Sequence, residues 1–271
     1  MGHLPTGKRH LTMINRIATI ALHTFKQSVR DKVLYNLIAF ALLLTGAAIL
    51  FGQISIGVQR IILVNLGLSA IAVFGLLMAI FIGISLVWRE IDHRTLYNVL
   101  SKPVARWEFI AGKYLGLLLT LVVNTAIMTA GFYLALLYLD HRSLPGDLAA
   151  FEAIYFILLE LALIVGVALL FSCISSPVLS AVFTFCTYVI GNLTSDIRWF
   201  GHESGSWALA KVTTLLYYVL PNFSDFNMIG RAAHSQVAPS YLLISNSLYA
   251  LLYAVILVSA SILIFEEREL T

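Results

Sequence analysis

Residues 88–113, WREIDHRTLYNVLSKPVARWEFIAGK, decide how the chain is laid out, because they form the one long charged interruption between strongly apolar runs. Five of the 17 Lys and Arg residues fall here: Arg89, Arg94, Lys102, Arg106 and Lys113. Apolar segments lead in and out, so the stretch reads as a loop between two membrane spans. Trp88, Ile91, Leu96, Val99 and Leu100 recur at roughly helical spacing, with charged residues on the intervening face. Ser101-Lys102-Pro103 ends that helix, since a proline pushes its predecessor out of the α region. A second helix restarts at Pro103 and carries Trp107 and Ile110 along one side before Gly112. The expectation is a firm knob that another protein could grip.

Composition fixes the broad class. Hydrophobic residues make up 60% of the chain, charged residues 11%, and mean hydropathy is +0.91. A soluble chain is closer to about half apolar and about a quarter charged. The charge deficit decides the matter, because a soluble surface of this size needs those charges. The expectation is an all-α polytopic membrane protein. A net charge of +3 gives no footprint for nucleic acid. Cys173 and Cys186 sit in or beside apolar segments and read as small buried hydrophobes.

Six spans follow from the requirement of about 20 apolar residues per crossing: 33–53, 62–87, 114–139, 152–173, 178–193 and 241–265. The fifth is short and is expected to tilt or to continue past Leu193. Before the first span, residues 11–31 form a basic amphipathic helix. Ile14, Ile17, Ala18, Ala21, Leu22, Phe25 and Val29 share one side, and Arg16, Lys26, Gln27 and Arg30 the other. Such a helix suits the membrane interface; packing on a soluble partner is the alternative. With the N-terminus inside, twelve Lys and Arg residues fall on the inner side. The five outside are Arg60, Arg142, Arg198, Lys211 and Arg231. That bias places both termini and the 88–113 loop in the cytoplasm.

The outer side is short except at 194–240, an extracytoplasmic segment with Trp199, Trp207, Tyr217, Tyr218 and Phe223. Within it Val212–Leu220 is too short to cross and reads as re-entrant. The segment is either a lid over the exit of a pathway or an interfacial anchor. No phosphate-binding loop, metal-ligand spacing or nucleophile elbow appears, so neither catalytic residues nor a metal site are expected. Glu160 is the one acid within a span, and its cost in lipid points it at the bundle interior. Asn124 and Asn65 are candidate polar neighbours. Glu160 and Asn124 are either pathway contacts or interhelical hydrogen-bonding groups that fix packing.

The pattern Glu90, Arg94-Thr95, Leu100-Ser101-Lys102-Pro103-Val104, Arg106, Phe109, Gly112-Lys113 resembles the first cytoplasmic loop of type-2 ABC exporter permeases. It is most similar to the branch described for multicopper-enzyme maturation and gliding motility. Leu220-Pro221-Asn222 and the terminal Phe265-Glu266-Glu267-Arg268-Glu269-Leu270 fit the same family. The resemblance implies a permease of the bacterial inner membrane, dimeric, with a separate ATPase subunit that binds ATP and Mg, and leaves the substrate open. The ATPase would couple through Glu90, Arg94, Thr95, Tyr97, Lys102, Pro103, Arg106 and Phe109, with Arg94, Tyr97, Arg106 and Phe109 as its anchors. A non-transporting scaffold that recruits a cytoplasmic partner through the same loop is the alternative.

Overall fold

The computed structural model describes residues 6–54, 58–92, 105–140 and 147–267. The helices are α1 (Thr6–Val29), α2 (Lys32–Ile54), α3 (Gln59–Asp92), α4 (Arg106–Asp140), α5 (Asp147–Ile174), α6 (Pro177–Glu203) and α7 (Trp207–Val219). A 3₁₀ turn (Phe223–Phe226), the short α8 (Ile229–Ala233) and α9 (Ser240–Glu267) complete them. There is no strand among the described residues. The protein is therefore an all-α polytopic membrane protein, with the end of the bundle that carries α1 termed inner and the opposite end outer.

Five helices are long and apolar enough to cross a bilayer: α3 through α6 and α9. α2 joins α1 at a bend of 64°, and the bent pair taken as one span gives a sixth candidate crossing. Each expected span falls on one of these helices, with one correction. The fifth is not short, because α6 runs 27 residues without a break. Residues 194–203 thus belong to a helix, not to the outer segment. The polar residues that hid this continuity face protein: Thr194 is buried and donates to Asn222 Oδ1 at 3.1 Å.

The core is built around α3 and α5. Two-thirds (67%) of each crossing window is buried there, against 22% for α6 and 17% for α9. Small residues set the spacing, as expected where lipid provides no hydrophobic drive between helices. Gly75 lies against Leu161 and Gly83 against Ala168 along the α3–α5 contact. Gly67 receives the ring of Phe132 from α4. Four buried hydroxyls are satisfied by their own helix: Thr45, Thr120, Thr184 and Ser261 each donate to the carbonyl four residues back. At the outer end Arg60 Nη2 of α3 lies 2.7 Å from Asp147 Oδ1, the first residue of α5. The α5–α6 turn is closed by Ser180 Oγ, which donates to the Phe171 carbonyl at 2.9 Å. Pro177 occupies the first turn of α6, where a missing N–H costs nothing.

The amphipathic helix α1 packs along the first third of α4. Ile17 and Ile20 meet Gly112, and Ala21 and Thr24 meet Gly116, both at close range. The side chains that meet these glycines are those of Ile20 and Thr24, with Ile17 and Ala21 approaching through their carbonyl oxygens, while Leu22 of the expected apolar face stays 52% exposed. Close approach over two glycines favours the slimmer stripe, which ends in the buried Thr24 and Ser28. Cys173 is buried as expected; Cys186 is exposed on α6, because that side of the helix has no neighbour among the described residues.

Candidate functional site

Two polar assemblies stand out, one at each end of the bundle. The inner one forms where α4 begins. Arg106 to Asp140 is a single helix of 35 residues. The second half of the expected knob is thus the opening of α4, and Gly112 is a packing point against α1 instead of a break. Glu108, three residues past the helix boundary at Ala105, accepts the Ala105 N–H at 3.3 Å, half of a capping box. Its Oε2 also lies 3.9 Å from Arg16 Nη1 of α1. Arg106 Nη1 donates to the Glu266 carbonyl at 2.8 Å and reaches the Phe265 carbonyl at 3.5 Å. It thereby caps the C-terminus of α9, whose last carbonyls lack helical partners. Phe109 stacks on Phe265 with ring centroids 5.9 Å apart, and Lys113 Nζ stands 5.5 Å from the Phe109 ring.

This geometry changes the reading of two expected anchors. Phe109 is 7% exposed and belongs to a joint between α4 and α9. Arg106 is likewise engaged by the chain itself. Glu90 lies on the last turn of α3, its side chain outside what is described; Arg94, Thr95, Tyr97, Lys102 and Pro103 lie outside the described residues. The joint was hidden from sequence because Phe109 and Phe265 sit at opposite ends of the chain. Lys113, almost fully buried, was read only as one of the loop's topology charges.

The outer assembly is built on the turn after α7. Gly205, at φ +66°, reverses the chain between α6 and α7. Gly201 then lets Thr213 approach closely, so α7 folds back beside α6. Asn222 follows Pro221 and is 4% exposed. Its Oδ1 accepts from Thr194 Oγ1 and from Ser224 Oγ at 2.7 Å, and its Nδ2 donates to Asp225 Oδ2 at 2.8 Å. Its backbone N–H donates to Tyr249 Oη of α9 at 3.0 Å. Asn246 Nδ2 donates to the Asp225 carbonyl at 2.8 Å, and Tyr253 Oη donates to the carbonyls of Tyr218 and Val219. The Ala238 N–H donates to Glu152 Oε2 at 2.7 Å, fastening the far end of the segment to α5. Asp225 keeps one side open to its surroundings. Even so, the packed turn beneath it strips enough water to raise its pKa above the ordinary aspartate value, the Asn222 amide pulling the other way.

Glu160 faces protein, at 8% exposure. Asn124 does not join it. That residue is buried on α4, and its Nδ2 has no partner among the described residues. Asn246 and Tyr249 were passed over in the sequence as ordinary content of the last span. A lone Asn in an apolar run is the signal that could have marked them. Neither assembly pairs a nucleophile with a base. Both can hold helix ends in register.

Comparison with known families matches residues 18–270 to the model described as ABC-2 family transporter protein. A search of curated proteins finds no match. ABC-2 permeases are membrane transport components that generally work with an ABC ATPase. With several apolar helices in the same fold and a match over nearly its whole length, this chain belongs to the ABC-2 transporter family.

Proposed function

We propose that the protein is the membrane-spanning subunit of an ATP-driven exporter in the bacterial cytoplasmic membrane. It works as a dimer, with both termini and the 88–113 loop in the cytoplasm. A separate ATPase binds ATP and Mg and grips the loop through Arg94, Tyr97 and their neighbours. The inner joint carries this reading. The chain leaving the loop enters α4 at the point where α1, through Arg16, and α9, through Phe265 and Glu266, are fastened to it. A push on the loop is thus delivered to three helices at once. The poorly covered flanks of α6 and α9 leave room for a second copy.

The test separates gripping from transmission. Arg94→Ala should weaken ATPase co-purification by more than about 1 kcal/mol, as loss of an interface anchor does. Phe109→Ala should leave the ATPase bound and lower hydrolysis by the assembled complex, since the ring acts inside the permease. Full recovery of the ATPase with Arg94→Ala, Tyr97→Ala and Lys102→Ala alike would leave the scaffold reading in possession of the loop.

A further inference from the structure

We infer that the elbow between α1 and α2 is a binding site for the headgroup of one anionic phospholipid. The 64° bend turns the end of α1 and the start of α2 toward the same space, a cavity of about 970 Å³. Lys26, Arg30 and Lys32 line it, with His23 beside them and Asp31 as the single acid. Lys26 and Arg30 are four residues apart and share a face of α1, and Lys32 opens α2. All three cations are exposed, and none is in an ion pair among the described residues. Three such charges at a membrane surface call for an anion.

The walls favour a lipid over a free anion. Phe25 and Val29 give the cavity an apolar side. Above Lys32, Tyr35, Phe40 and Leu43 stand 58%, 58% and 64% exposed along α2. From Lys32 to Leu43 the helix rises about 16 Å, close to the roughly 15 Å of one leaflet's hydrocarbon. A phosphate held at the elbow therefore has its acyl chains laid along this face. Gln27 adds a selective contact. Its Oε1 is buried on the cavity wall without a hydrogen-bond partner and can accept from a headgroup hydroxyl, as a glycerol headgroup offers. The site depends on the chain being a multi-pass membrane protein and not on its pairing with an ATPase.

Native mass spectrometry of the intact protein tests this, with phosphatidylglycerol, phosphatidylcholine of the same chains, and inorganic phosphate as probes. One phosphatidylglycerol per chain should survive where phosphatidylcholine is lost. The combined variant Lys26→Gln, Arg30→Gln, Lys32→Gln should weaken phosphatidylglycerol about fivefold for each cation removed, with phosphatidylcholine unchanged. A charge-matched outer variant, Arg198→Gln, Lys211→Gln, Arg231→Gln, should bind as the parent does. Equal retention of the two lipids, or equal loss of phosphatidylglycerol in both variants, overturns the site. Displacement by millimolar phosphate overturns the lipid as its occupant. Should the triple elbow variant fail to insert, Arg30→Gln alone is judged by the same criterion.

Discussion

At the outer turn, Asn222 alone accepts from Thr194 and Ser224 and donates to Asp225. Around α1 and α4, by contrast, Thr24 Oγ1, Gln27 Oε1 and Asn124 Nδ2 are buried with no partner among the described residues. Both regions are tightly packed, yet they resist motion differently. Displacing the outer turn breaks several hydrogen bonds at once. Displacing α1 along α4 breaks few, because the seam is held by backbone approach over Gly112 and Gly116. An unmade buried hydrogen bond costs roughly 1–3 kcal/mol, so the seam is the less settled of the two. The outer turn is held by polar contacts, and the α1–α4 seam mainly by close packing.

The sharpest way to break this contrast is Asn222→Ala. It leaves Thr194 and Ser224 without their acceptor and Asp225 without its donor, so a loss of about 3 kcal/mol is expected, the sum of modest terms. Thermal unfolding in detergent measures it. Next comes Gly116→Ala, whose new Cβ would stand 2.6 Å from both the Ala21 carbonyl oxygen and Thr24 Cβ. Backbone cannot give as a side-chain tip can, so α1 should lift at a cost of roughly 1–3 kcal/mol. Gly46→Ala is the control, with nothing within 4 Å to meet its Cβ, and should be neutral. If Gly116→Ala proves costlier than Asn222→Ala, the roles of the two ends are reversed. The smallest effect expected is Asn124→Leu, which removes an orphaned amide and should stabilise by up to about 1 kcal/mol. A destabilised Asn124→Leu would mean that the amide has a partner the folded chain supplies. Unchanged stability with lost transport would give it the pathway role instead.

The spans were legible because long apolar windows leave little choice in a bilayer, and the burial of Glu160 was legible from the cost of an acid in lipid. The length of α6 was left open in the sequence, between a tilted short span and one continued past Leu193. Asn192, Thr194 and Asp196 look like the end of a span until Asn222 is seen to receive Thr194. Of the knob, the stretch 93–104 lies outside the described residues; its second helix exists and is continuous with the next span, because Gly112 reads as a break locally and as a contact once α1 is in place. Phe109 reads as an exposed anchor until Phe265 covers it. Each miss is a contact between residues far apart in sequence, which spacing and periodicity do not encode.

The ion pair between Arg60 and Asp147 has a consequence for how the protein is made. Its two residues are 87 positions apart, so the ribosome releases the cation of α3 well before the acid of α5 exists. Through that interval α3 carries its Arg60 charge, at the end of the bundle opposite the basic α1, without this acid. The arrival of α5 then adds the ion pair to a hairpin already made. Chain order thus becomes part of the assembly of the outer end.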